Sequence, residues 1–182
     1  MLFEKPGIEN TAATVELALR AARERGIKNI VLATSKGDTA LLFKDRMDGL
    51  RLTCVTSVYG FKTIGVNPMS DERRQELLDM GCRVVTAAHA LSGAERSISR
   101  SLGGAYPVEI MAHTLRMFGQ GAKVCVEIAC MAADAGCVTP GEPVICIGGT
   151  GRGADTAMIL RPAATAQVLD TRIDEFICKP RP

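Results

Sequence analysis

The sequence has no tryptophan and only two tyrosines in 182 residues, and aromatic side chains make up 4% of it. That scarcity argues against stacking platforms for nucleic-acid bases and aromatic walls for carbohydrates. Ligands are therefore expected to be held mainly by polar contacts. An excess of either charge is also missing. The 22 Lys and Arg against 20 Asp and Glu leave a formal net charge of +2, too weak a field to gather nucleic acid or an anionic membrane. Any anion site must be local. The seven cysteines (Cys54, Cys82, Cys125, Cys130, Cys137, Cys146 and Cys178) include no CxxC pair and are odd in number. Most sit in apolar runs such as LTCVT and VICIG, where a reduced thiol behaves as a small hydrophobe; a reducing cytoplasm is the expected location. No run of about 18 apolar residues exists, and MLFEKPGIEN is not a basic segment leading into an apolar one. Neither secretion nor a membrane span is expected. What is present is 47% hydrophobic and 23% charged residues, enough to bury a core and too much for disorder. The length suits one domain over residues 1–182.

A short unit occurs three times: the end of a helix, Gly, an apolar residue, a basic residue, then an apolar run closing in Thr. Gly26-Ile27-Lys28 leads into NIVLAT, Gly49-Leu50-Arg51 into LTCVT, and Gly81-Cys82-Arg83 into VVT. Each Gly suits the left-handed residue after a helix, and the apolar residue beyond it folds back on the last turn. The spacing of Val15, Ala18, Leu19 and Ala22 predicts a first helix capped by Asn10 or Thr11. A second helix is expected over 38–48 and a third over 70–80, with Asp71 and Glu72 in its first turn. Strands near 29–34, 51–56 and 83–86 would then be parallel neighbours whose carboxyl ends share one rim.

Beyond residue 88 the pattern predicts helices near 92–102, 107–118 and 121–135, then a strand PVICIGG. DTAMILRP follows too closely for a crossover and is expected to return antiparallel, and RIDEFICKPRP adds a candidate strand. The connection 58–69 (VYGFKTIGVNPM) has the length of a lid.

Two loops have the composition of an anion site. Thr34, Ser35, Lys36, Gly37, Asp38 and Thr39 lie where a strand gives way to a helix, combining hydroxyls, a Lys and unpaired N–H groups; the plain alternative is a turn capped by Asp38. In Gly149, Thr150, Gly151, Arg152 and Gly153, backbone N–H groups and one guanidinium can surround a phosphate, although Ala154 and Asp155 stand where a P-loop has Lys and Ser or Thr. The alternative is a hairpin turn. Ser92 and Glu95 have capping-box spacing next to Gly93. Arg96 and Arg100 share a helix face, and His89 precedes them on the same rim. Glu127 is the one acid in an apolar helical stretch. Facing solvent it is unremarkable chemistry; buried, it becomes a candidate acid or base with His89. Cys125 and Cys130 do not share a helix face, so no metal site is expected. His113, Met111 and Leu115 read as core or interface.

NIVLATSKGDTALLF resembles the strand, T-x-x-G-x-T-A loop and helix that open the sugar-bisphosphate site in the C-terminal domain of pyruvate kinase. GGTGRGADTAMILRP resembles that domain's closing glycine-rich loop and final hairpin, and the whole chain is similar to stand-alone proteins built on it. The resemblance implies a three-layer α/β/α domain around a mixed, mostly parallel sheet of five strands, the last antiparallel, with a helical insert at 89–118. It implies phosphate contacts from Thr34, Ser35, Lys36, Gly37 and Thr39 and from Gly151, Arg152 and Gly153. The expected function is binding of a small phosphorylated molecule: a sugar phosphate, a nucleotide or flavin mononucleotide. The Rossmann spacing is absent, so flavin mononucleotide is expected over a dinucleotide. An enzyme acting on that ligand, or an assembly module, are the alternatives. A homo-oligomer is expected. Pyruvate kinase activity is not, because its chemistry belongs to a separate barrel of about 250 residues.

Overall fold

The computed structural model describes residues 1–181. Its strands are β1 (Leu2–Phe3), β2 (Asn29–Ala33), β3 (Arg51–Val55), β4 (Arg83–Val85), β5 (Val144–Gly148), β6 (Thr156–Arg161) and β7 (Arg172–Pro180). The helices are α1 (Thr11–Arg25), α2 (Asp38–Leu41), α3 (Asp71–Asp79), α4 (Gly93–Leu102), α5 (Pro107–Arg116) and α6 (Gln120–Asp134).

The repeated glycine unit does what its composition requires. Gly26, Gly49 and Gly81 have φ of 66°, 72° and 82°, a region that penalises a Cβ. Behind the first and third, the Ile27 N–H reaches Ala22 O and the Cys82 N–H reaches Leu77 O, both at 3.0 Å. The chain thus reverses directly from helix into strand. Every odd–even alternation then sorts side chains between two cores. Ile30 and Leu32 of β2, with Ile145 and Ile147 of β5, join Leu19, Phe43 and Leu77 on one face. Val31, Val144 and Cys146 join Ala112 and most of α6 on the other. The result is the expected three-layer α/β/α sandwich.

Strands run in the order β1-β7-β6-β5-β2-β3-β4. β2, β3 and β4 are parallel neighbours, and β5 lies parallel on the other side of β2. β6 alone is antiparallel to its neighbours. The sheet therefore has seven strands where five were expected, and the antiparallel strand is not the last. β7 turns back to the direction of β5 and gives β1 an edge to pair with, Leu2 beside Lys179. A two-residue strand has no periodicity to read, so β1 leaves no signal in the sequence.

The second helix is also shorter than expected. After Leu41 the chain continues in tight turns, Phe43 N–H to Ala40 O and Arg46 N–H to Phe43 O at 3.0 Å, with Asp45 left-handed at φ 59°. Phe43 is fully buried by this path. The third helix has Asp71 and Glu72 in its first turn, as expected, and Ser70 just outside it as its cap, Ser70 Oγ accepting from the Arg73 N–H at 3.2 Å.

Candidate functional site

The chain steps from β2 through one face to β3, but enters β5 from α6 on the other face. The carboxyl ends of β2 and β5 thus flank the point where strand order reverses, where open α/β sheets leave a crevice. Leu32 pairs with Ile147, so loops 34–39 and 149–153 leave adjacent strand ends.

In the first loop, Thr34 is buried, and its Oγ1 accepts from the Gly37 N–H at 3.1 Å. It shapes the loop. Ser35 and Lys36 are exposed, and Ser57 Oγ donates to Ser35 Oγ at 3.1 Å. Among the described residues, the N–H groups of Ser35, Lys36, Asp38 and Thr39 have no protein acceptor. Thr39 is the second residue of the short helix, its side chain mostly buried. Asp38 is not the cap: Gly37 holds that position, and the Asp38 carboxylate turns outward to Arg73 Nη1 at 3.4 Å. It borders a groove of about 370 Å³ lined also by Lys36, Ser70, Glu72, Arg73 and Glu76. Three acids against two cations make that groove a poor home for phosphate.

The second loop is held from below by Asp155, which is fully buried. Its Oδ2 accepts from the N–H groups of Thr150 at 3.1 Å and Gly7 at 3.2 Å; Oδ1 accepts from Thr156 Oγ1 at 2.8 Å. The Ala154 N–H donates to Thr11 Oγ1 at 3.0 Å, tying the loop to the start of α1. Gly149 sits against the Gly153 backbone, where a Cβ would lie 2.5 Å from its carbonyl oxygen. Arg152 is exposed, and the N–H groups of Gly151 and Gly153 have no protein acceptor among the described residues. By motif Asp155 stands out only as a departure from a P-loop; an acid opening an otherwise apolar strand is the signal that it anchors the loop.

Three threonines close β2, β3 and β4 on this rim. Thr56 and Thr86 hydroxyls are 2.7 Å apart, and Arg74 Nη2 donates to Thr86 Oγ1 at 2.8 Å. Behind them lies a charged cluster. Glu127 does not face solvent. It is 6% exposed, with Oε2 2.6 Å from Lys123 Nζ and Oε1 accepting from the Leu91 N–H at 3.0 Å. Burial pulls the Lys123 ammonium below the ordinary lysine pKa, against the pull of Glu127. His89 is also depressed, first by burial, then by the nearby Lys123 and Arg96 cations, with Glu127 opposing. Lys123 carries no signal of burial in the sequence, because a Lys four residues before a Glu usually marks a solvated helix face.

The capping box does not form. Ser92 is buried and makes no side-chain cap, while Glu95 Oε1 accepts instead from the Glu109 N–H at 2.8 Å, serving the start of α5. Gly93, at φ 35°, is exposed and opens α4. Arg96 is half-buried beside His89. His113 is exposed, so it is not core; Met111 and Leu115 pack on the second core. All seven cysteines are free thiols, and burial raises those of Cys125 and Cys146. No group of three metal-ligating side chains exists among the described residues.

A pyruvate kinase from Cryptosporidium parvum matches at 13% identity, covering 86% of this chain and 23% of the enzyme, with a TM-score of 0.44. A second structure of that organism's pyruvate kinase matches at 12%, over 87% and 24%, with a TM-score of 0.41. One in complex with ADP matches at 14%, over 86% and 24%, also at 0.41. The chain thus spans about a quarter of those enzymes. The family model for the pyruvate kinase alpha/beta domain matches residues 12–160, from the start of α1 through β6, and on that match the chain belongs to the pyruvate kinase alpha/beta domain family.

Proposed function

We propose that the rim binds a small phosphorylated molecule, its phosphate at Ser35–Thr39 and its far side closed by Gly149–Gly153 with Arg152. The observation that supports this most is the set of four N–H groups in the first loop with no protein acceptor, beside the exposed Lys36. Such groups are stabilised by an anion. A sugar phosphate, a nucleotide and flavin mononucleotide all carry that group. The protein is read as cytoplasmic, in keeping with its seven free thiols, and no helix among the described residues is long and apolar enough to cross a membrane.

The test is calorimetric titration with inorganic phosphate and flavin mononucleotide, on the native protein and on Thr39→Val. Losing one charge-assisted hydrogen bond should weaken phosphate binding by about 1.5–3 kcal/mol. Equal affinity in the two proteins removes this loop from the site. Tighter binding of a dinucleotide than of flavin mononucleotide would reverse the ligand preference. Pyruvate kinase turnover is not expected, since the barrel that carries it is a separate unit of about 250 residues.

Self-association is the second reading. Ile98, Leu102, Ile110 and Met117 of the α4–α5 region are 44%, 78%, 55% and 81% exposed, more apolar surface than two helices usually leave to water. As an acid or base, Glu127 is handicapped, because both its oxygens are engaged.

A further inference from the structure

The first turn of α4 gathers donors that nothing in the chain uses. Its N-cap, Ser92, has φ −155° and ψ −62°, outside the backbone region from which a capping hydroxyl reaches the turn's own N–H groups. Ser92 is 6% exposed, yet its hydroxyl makes no hydrogen bond among the described residues. The N–H groups of Gly93, Ala94 and Glu95 are left without a protein acceptor, and the bond that opens the helix is Arg96 N–H to Ser92 O at 3.0 Å. Glu95 offers the turn nothing, because its carboxylate serves the Glu109 N–H. Arg96 stands one turn on, and a helical side chain leans toward the N-terminus of its helix. Its guanidinium has no protein acceptor among the described residues, and its charge is felt at His89. The turn is fixed from beneath, where Glu127 accepts from the Leu91 N–H at 3.0 Å.

We propose that this turn is a second anion site and takes a carboxylate, so that the ligand is a phosphorylated acid with one charged group at each side of the rim. This rests on the phosphate reading of loop 34–39. A buried hydroxyl without a partner, three N–H groups and a guanidinium are donors in search of an acceptor, and a carboxylate brings acceptors only. One negative charge suits the place better than two. The turn's own cation is Arg96 alone, since Lys123 is held by Glu127, while Glu95 lies in the turn and Glu127 beneath it. A phosphate, carrying nearly two charges, would meet both acids. The strands that lead to the two sites, β2 and β4, are two steps apart in the sheet, about 9.5 Å at the usual strand spacing. Between them the rim carries two hydroxyl pairs, Ser57 with Ser35 and Thr56 with Thr86, a floor suited to a hydroxylated chain. A six-carbon acid phosphorylated at its far end spans roughly 8–9 Å from carboxyl carbon to phosphorus, at about 1.2 Å per bond of extended chain.

The experiment titrates the full chain calorimetrically with 6-phosphogluconate, with sorbitol 6-phosphate, which has an alcohol in place of the carboxylate, and with gluconate, which lacks the phosphate. The native protein should bind 6-phosphogluconate at least tenfold more tightly than sorbitol 6-phosphate. Arg96→Gln should erase that preference, Ser92→Ala should reduce it severalfold, and Arg96→Lys should keep part of it. None of the three should change the affinity for sorbitol 6-phosphate, and neither side chain bonds anything within the fold, so the variants should fold. Thr39→Val should weaken both phosphorylated compounds by the same factor. Equal binding of the two by the native protein, or a preference that survives Arg96→Gln, refutes the carboxylate site, and the phosphate loop still stands if Thr39→Val weakens both. Gluconate binding that Arg96→Gln abolishes, with no binding of sorbitol 6-phosphate, supports the carboxylate site and removes the phosphate loop. No binding of any of the three compounds overturns both.

Discussion

Replacing Lys123 with Met should destabilise the fold by about 3–5 kcal/mol at neutral pH. The side chains of Lys123 and Glu127 are 5% and 7% exposed, with Nζ 2.6 Å from Oε2. Met fills nearly the same volume but leaves the Glu127 carboxylate buried with one remaining donor, the Leu91 N–H. That carboxylate stays buried without its cation, and the cost is that of an unpaired buried charge. Glu127→Gln keeps an acceptor for Leu91 and strands the ammonium instead. The pair of substitutions together leaves two neutral side chains, so the double variant should lose about 2 kcal/mol less than the two single losses combined. Urea denaturation followed by circular dichroism reads all four proteins. Single losses under about 1 kcal/mol, or additivity within about 0.5 kcal/mol, would refute a coupled buried pair.

His89 is lowered in the folded state by burial and by Lys123 and Arg96, against Glu127. The unfolded chain then binds more protons as pH falls below about 6.5, so this group's contribution makes stability drop with acid and vanishes above that value; His89→Gln should flatten the slope between pH 7 and 5, and an unchanged slope removes His89 as its source. Asp155→Ala strands the Thr150 and Gly7 N–H groups and the Thr156 hydroxyl, and should cost about 3 kcal/mol or more in urea denaturation; a loss below about 1 kcal/mol means the glycine loop is held by other contacts. Gly153 has φ of 72°, and a Cβ there would lie 2.7 Å from Ile8 Cα. Gly153→Ala should therefore cost about 2–4 kcal/mol, and a variant melting at the native temperature would show that Ile8 yields freely.

Much of the sheet was legible because its signals are local. A glycine, a fold-back residue and a basic residue mark each helix-to-strand reversal within three positions, and the Thr that closes each run does end at the shared rim. The two loops on that rim were legible as turns for the same reason, since Gly, Ser and Thr mark them. What escaped depends on distant partners. Asp155 matters through Gly7, 148 residues away. Glu95 has a capping box's spacing but finds a better donor in Glu109 across the α4–α5 turn. Lys123 and Glu127 have surface-pair spacing, and only the packing of α6 on the sheet puts them inside. The helix expected over 38–48 lost to Phe43, whose burial draws the chain into turns.

The strand order also sets a timetable. Ile30 meets Leu52 across 22 residues, but its other neighbour, Ile145, is 115 residues away. By loop-closure entropy that difference amounts to only about 1.5 kcal/mol, a minor matter once the protein is folded. It is not minor during synthesis. At roughly 5–20 residues per second, the 88 positions between Val55 and Val144 take about 4–18 s to emerge. Throughout that interval β2 and β3 can pair, while the flank reserved for β5 shows Ile30, Val31 and Leu32 to any passing strand. The nascent chain is thus most exposed to mispairing at the middle of its sheet, and a ribosome that paused before residue 144 would lengthen the danger without changing a single native contact.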